Sequence, residues 1–307
     1  MDLKRAFIYP GQASQEVGMA QDIYQAKESV KKLYRKANDI LGFDVAKLSF
    51  EGPLEKLTET KVTQPAIFIA SAAFTSLLPK SFSCDMTAGH SLGEFTALYA
   101  AGVLSFEDAL RIVSVRAEAM QIAGEERPGT MAALINLSRE DLDLVVKHSS
   151  LRGIVQAANF NAPGQIVISG ETVAVKYAME AAKTAGAKKA LELAVSGAFH
   201  SPLMEGAKDA LLRVIRTVEF KPAKVPVYCN VDGKPTTDPE QLKDNLVKQL
   251  DSPVLWEDSV SQMVADGAGE FVEIGPGRVL QGLVRRINRE VTVRGIGSLE
   301  DLEGLNT

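Results

Sequence analysis

The chain is poor in the residues that build metal centres and disulfide frameworks. It has two cysteines, Cys84 and Cys229, and three histidines, with no CxxC or HxxxH pair among its 307 residues. That argues against a metal site, and both thiols fall in apolar, strand-like segments where reduced, buried cysteines are expected. Positive charge is not in excess either. Lys and Arg number 34 against 39 Asp and Glu, a net charge of −5, and no basic cluster is interleaved with aromatics, which argues against nucleic acid as a partner. No apolar run reaches the ~18 residues of a membrane helix, and neither end carries a readable targeting signal. A globular cytoplasmic protein without a membrane partner is expected, and a plastid stroma would fit equally after removal of a transit peptide. Chemistry in such a chain falls to ordinary side chains.

Apolar residues make up 46% of the sequence, enough at this length for one large domain or two smaller ones. The pattern alternates. Ala6 to Tyr9 reads as a buried strand, and Val30, Leu33, Tyr34, Ala37, Ile40 and Leu41 recur at helical spacing before Gly42. Thr63 ahead of Pro65 predicts a helix start with proline in its first turn. Ser105 and Asp108 predict a capping box for a helix to about Ala123. Between Thr130 and Val195 the order becomes βαββαβ, the split arrangement of ferredoxin-like units. Alternation then resumes, with strands expected at 225–229, 270–274 and 292–296. The fold class is α/β, with a small unit at 127–197 inserted into a larger one formed by 1–126 and 198–307.

Two short segments carry chemistry. In GHSLG, at 89–93, a strand ending at Gly89 turns into a helix of good formers, which would expose Ser91 on a nucleophile elbow with the Leu92 amide aimed at a developing oxyanion. An ordinary glycine-flanked serine turn is the other reading. In GAFHS, at 197–201, His200 follows the inserted unit and faces a groove between two units, a common place for a substrate. It reads equally as a general base or as a polar residue opening a helix. His90 should point away from Ser91, and His148 ends a helix, where a cation suits the dipole.

Five ordered motifs together, PGQASQ at 10–15, QPA at 64–66, GHSLGE at 89–94, GAFHS at 197–201 and EIGPG at 273–277, resemble the malonyl-CoA:acyl carrier protein transacylases. The likeness runs from residue 6 to about 290. It implies an α/β-hydrolase-like large subdomain with a ferredoxin-like small one. It further implies that Ser91 carries a malonyl ester, that His200 is its base, and that the backbone carbonyl of Gln249 orients the histidine in place of an aspartate. The Gln12 amide would complete the oxyanion hole with Leu92. Ala13 stands where glycine is common, which puts a positive φ there in doubt. Arg116 would bind the malonyl carboxylate through its planar fork, with Met120 in the pocket wall and Gln64 and Asn161 near the site. Phe199 and Leu92 resemble malonyl-preferring members, since a bulky Phe199 crowds an α-methyl group.

On this reading malonyl-CoA is the substrate and no cofactor or metal is bound. An acyl carrier protein bearing phosphopantetheine is the partner, and the enzyme, a monomer, supplies fatty acid synthesis. An acidic carrier needs a local basic patch, for which Arg285, Arg286 and Arg289 are candidates beside the plainer reading of a solvated helix face. Loading of a polyketide synthase shares every motif. A thioesterase- or lipase-like hydrolase also uses GxSxG, but its histidine comes late in the chain, and none follows His200. A non-catalytic carrier-binding protein would not need Ser91, His200 and Arg116 together.

Overall fold

The computed structural model describes residues 3–306. Ten strands form two sheets: β1 (Lys4–Tyr9), β2 (Met86–Gly89), β3 (Thr130–Ile135), β4 (Val155–Ala162), β5 (Gln165–Gly170), β6 (Lys189–Glu192), β7 (Val227–Tyr228), β8 (Pro235–Thr236), β9 (Ala268–Ile274) and β10 (Thr292–Ile296). The larger sheet runs β10-β9-β1-β2-β7-β8, parallel except for the β7/β8 pair. Its inner strands are buried on both faces, as parallel sheets covered by helices require. Along β1 the two-residue period sends Phe7 and Tyr9 into one apolar cluster and Ala6 and Ile8 into another. Each large side chain so buried is worth about 1.5–3 kcal/mol. The sheet therefore separates two cores.

The smaller sheet runs β4-β5-β3-β6 and is antiparallel throughout. Helices Arg139–Ser149 and Thr172–Thr184 cover it with a third apolar cluster. Its βαββαβ order is the one read from sequence. Edge strand β4 is also tied to the chain after Gln249: Phe160 N–H donates to Val254 O at 2.9 Å and Val254 N–H to Ala158 O at 2.8 Å.

Three local expectations change. The helix around Pro65 begins a turn earlier, as Thr60–Ser76, so proline lies inside it. Residues 62–74 are buried throughout, and packing on every side outweighs one missing amide donor at a residue whose fixed φ is already helical. The strand expected at 225–229 shortens to two residues, with Pro226, which has no amide to donate, ahead of it. Cys84 is half-buried in the loop before β2, while Cys229 is buried just beyond β7, and both are free thiols. The capping box forms as expected: Ser105 Oγ accepts from Asp108 N–H at 3.1 Å and opens the helix Phe106–Glu126. Among the described residues no helix is long and apolar enough to cross a membrane.

Candidate active site

Two loops leave the parallel sheet side by side. Tyr9 of β1 and Gly89 of β2 are register partners, so the segments bearing Gln12 and Ser91 emerge together at the carboxyl edge, where open α/β sheets hold ligands. Ser91 has φ 50°, and the helix Gly93–Ala100 starts two residues on. A left-handed serine costs about 1–2 kcal/mol, so neighbours must hold it. Asn230 does so from the end of β7, its Oδ1 accepting from Ser91 N–H and its Nδ2 donating to Gly89 O, both at 2.7 Å. The flanking glycines are required by crowding. A Cβ on Gly89 would lie 1.9 Å from the Gly93 carbonyl carbon, and one on Gly93 would lie 2.1 Å from Tyr9 O.

His200 arrives from the segment after β6, also with positive φ, at 56°. Gln156 of β4 braces it by donating from Nε2 to His200 O at 2.7 Å and to Asp251 O at 2.9 Å. The imidazole then lies between two partners: Nδ1 is 2.8 Å from Gln249 O, and Nε2 is 2.8 Å from Ser91 Oγ. A carbonyl can only accept, so the ring proton belongs on Nδ1 and Nε2 is left bare toward the serine hydroxyl. A nucleophile beside an oriented base is the arrangement that generates an alkoxide-like attack on an acyl carbon. The partner of Nδ1 is a backbone carbonyl, and the nearby buried carboxylate, Glu94, bonds to Gln249 instead.

Arg116 reaches the same oxygen from the helix Phe106–Glu126. Ile112, Arg116 and Met120 recur every four residues and are all buried, which puts the arginine on the inward face, whereas Arg111 is outside in an ion pair with Asp108. Arg116 is 1% exposed. Its Nη1 donates to Gln64 Oε1 at 2.6 Å, and its Nη2 donates to Gln249 Oε1 at 2.9 Å and to Ser91 Oγ at 3.1 Å. A buried cation at a nucleophile suits an acyl group that itself ends in an anion.

A cavity of about 130 Å³ opens beside Ser91 and His200. Met120, Met131, Leu193, Val195 and Phe199 make its apolar wall, and Gln12, Ala13, His90 and Asn159 line the rest. Arg116, Leu92, Gln64, Gln249 and Asn161 are not among the residues that line it. Leu92 occupies the N-cap of the elbow helix, and Asn161 Oδ1 is 2.8 Å from His90 Nε2. His90 lines the cavity as well, but its ring packs against Trp256, 5.6 Å between centroids, whereas Ser91 Oγ meets His200 and Arg116. Ala13 adopts φ 76° despite its β-carbon, with its N–H donating to Gln15 Oε1 at 2.8 Å.

The electrostatics follow from burial. Desolvation, then the charge of Arg116, push the His200 imidazole down to about 3, against the pull of Gln249 O. Burial lowers Arg116 to about 10, opposed by Glu94. Burial lifts Glu94 to about 7, opposed chiefly by the hydrogen bond from Gln249. Burial also lowers His90, opposed by Asn161. Among the described residues no group of three or more His, Cys, Asp or Glu could hold a metal ion.

Glu94, Asn230 and Gln156 were given no role by the sequence alone. Glu94 left one signal, a charged residue amid Phe95, Ala97 and Leu98. Asn230 and Gln156 left none, since each acts on residues far away in the chain. Glu273 of EIGPG proves to be a helix cap, accepting from Leu280 and Gln281 N–H at 3.1 Å each. Arg285 and Arg286 are exposed on the helix Val279–Ile287, bonded to Val293 O and Gln165 Oε1 respectively, and Arg289 is exposed just beyond.

Residues 6–299 match the family model described as acyl transferase domain. A Staphylococcus aureus protein named malonyl CoA-acyl carrier protein transacylase is 43% identical over 304 residues, covering 99% of this chain and 98% of that one. An acyl carrier protein S-malonyltransferase from Vibrio cholerae has a crystal structure with TM-score 0.94 and 39% identity, covering 98% and 99% of the two chains. A malonyl-transacylase solved in complex with its type II PKS acyl-carrier protein gives TM-score 0.94 and 40% identity, covering 99% and 100%.

Proposed function

The chain belongs to the acyl transferase domain family, and from that premise we propose that it moves malonyl from malonyl-CoA to the phosphopantetheine thiol of acyl carrier protein, supplying fatty acid synthesis. The observation that carries this reading is the placement of Ser91 Oγ between His200 Nε2 at 2.8 Å and Arg116 Nη2 at 3.1 Å. Base, nucleophile and carboxylate-binding cation meet at one atom.

In the first half-reaction Ser91 Oγ attacks the thioester carbonyl as its proton passes to His200 Nε2. The Gln12 and Leu92 amides receive the oxyanion. The carbon–sulfur bond breaks, the proton goes from Nε2 to the departing CoA sulfur, and malonyl remains as an ester on Ser91. In the second, His200 takes the proton of the pantetheine thiol, the sulfur attacks the ester, and the proton returns to Ser91 Oγ. No electron is gained or lost, so the cycle calls for no redox cofactor. The Gln249 carbonyl stabilises the imidazolium while it exists, and Arg116 holds the malonyl carboxylate in both steps. Gln64 and Gln249 hold Arg116, Asn161 holds His90, and Met120 and Phe199 shape the acyl pocket.

The chain divides into a small subdomain, 127–197, and a large one formed by 1–126 and 198–307, and residues of both line the cavity. The acting unit is a cytoplasmic monomer whose partners are malonyl-CoA and the carrier, not nucleic acid or membrane. The exposed Arg285, Arg286 and Arg289 supply positive charge that an acidic carrier can meet.

The reading is tested by incubating the protein with a panel of acyl-CoAs and measuring intact mass. Malonyl-CoA should add one malonyl group, removable by holo-acyl carrier protein. Methylmalonyl-CoA should react more slowly, since one methyl against Phe199 is worth about 1–3 kcal/mol, or roughly 10–200-fold. No acyl adduct, or release to water as fast as to the carrier, would sink the transferase assignment.

The pH dependence follows from His200. Its pKa in the folded protein lies below the free value of 6.5, near 3, so the imidazole stays a neutral base as pH falls through 6.5 and is protonated only toward 3. Its contribution to stability runs the same way, complete above 6.5 and lost progressively as pH falls toward 3. Acylation by acetyl-CoA, which has no carboxylate for Arg116, should stay level from pH 8 to 5.5. A fall in kcat/KM centred on 6.5 would show that burial and Arg116 do not act on His200 in this way.

A further inference from the structure

Glu94 is buried, ionisable and unused by the two half-reactions. Its Oε2 accepts from Gln249 Nε2 at 2.7 Å and from Asn230 N–H at 3.2 Å. Gln249 in turn has two separate duties. Its backbone oxygen receives His200 Nδ1, while its side-chain oxygen receives Arg116 Nη2. The two ends of a carboxamide have nearly the same shape, so only hydrogen-bond partners decide which way it faces. On the Nε2 side stand three acceptors: the Glu94 carboxylate, Ser91 O at 3.0 Å and Asn230 Oδ1 at 3.4 Å. Of these, Glu94 makes the shortest contact and alone can carry charge. Turned over, the carboxamide would set its NH₂ against the guanidinium and its oxygen against those acceptors.

We propose that Glu94 is a positioning residue for acyl-group selection: by accepting from Gln249 Nε2 it turns Gln249 Oε1 onto Arg116 Nη2 and so holds the guanidinium at Ser91. This rests on the reading that Arg116 binds the malonyl carboxylate. Glu94 acts through the Gln249 side chain, whereas His200 is held by the Gln249 backbone, so loss of Glu94 weighs more on malonyl than on acetyl. The carboxylate also sits three residues after the nucleophile, on the helix that the elbow opens, so one turn of backbone sets both Ser91 and the orientation of its arginine.

The test compares Glu94→Leu, which keeps bulk but has no acceptor, with Glu94→Gln, which keeps an acceptor oxygen and loses the charge. The readout is the ratio of malonyl to acetyl acylation rates on Ser91, by intact mass, which a general loss of folded protein does not move. Glu94→Leu should lower the ratio by about tenfold or more, the scale of one hydrogen bond to a charged group, and Glu94→Gln should restore most of it. An unchanged ratio in Glu94→Leu would overturn the proposal. So would an equal fall in both variants, which would make Glu94 a counter-charge rather than an aiming acceptor. Wild-type protein that takes no malonyl label would instead overturn the underlying function, so the two failures are distinct.

Discussion

Ser91→Ala is expected to take no acyl label from malonyl-CoA, and transfer to the carrier should collapse. In a serine protease the loss of the nucleophile costs about 10⁶-fold in kcat, and a fall of that order is the expectation here. Without Oγ the pantetheine thiol would have to attack the thioester directly, with no covalent relay and no acyl group waiting in the cavity. The fold should survive the change. Alanine tolerates φ 50° no worse than serine, the elbow amide keeps its bond to Asn230, and Arg116 keeps Gln64 and Gln249. Intact mass after incubation with malonyl-CoA and the thermal midpoint of the variant decide the matter. Retained labelling in a folded variant would place the nucleophile elsewhere.

Arg116→Ala should separate the acyl groups. Truncating one partner of a buried, hydrogen-bonded charge pair costs about 2–5 kcal/mol, so malonyl transfer should fall roughly 30- to 5,000-fold. Acetyl-CoA offers no carboxylate and loses no such pair. Removing the guanidinium also removes a positive charge that holds the His200 imidazole down, so any effect on the base is toward greater basicity. The variant leaves Gln64 Oε1 and Gln249 Oε1 without their donor, and some stability will go with them, which is why the malonyl-to-acetyl ratio is the measurement. Arg116→Lys should recover little, because an ammonium lacks the fork that meets a carboxylate with two parallel bonds. Equal losses for the two substrates would reduce Arg116 to a structural role.

Much of this geometry had a sequence signal because it is local. The glycines at 89 and 93 mark a turn too tight for side chains, whereas Arg116 carries no local mark of its own, and only the family resemblance singles it out. The βαββαβ order was legible because each element carried its own period and turn residues. What was misread fell where one neighbour in space outweighed the local rule. Pro65 marked a helix start by its own chemistry, yet the packed surroundings of residues 62–74 carry the helix through it.

By itself the sequence determined the α/β class, the βαββαβ order of 130–195, the tight glycine-flanked turn at Ser91 and the likeness that singled out His200 and Arg116. Each of these depends on periodicity, turn chemistry or motif order along a continuous stretch of chain. Only the tertiary structure decided that Ser91, His200 and Arg116 converge on one oxygen, that Gln249 serves two of them from different atoms, and that Glu94, Asn230 and Gln156 brace the assembly. Those contacts join residues up to 158 positions apart. Hydrogen bonds of that kind depend on distance and direction in the folded chain, and residue order along the chain carries neither.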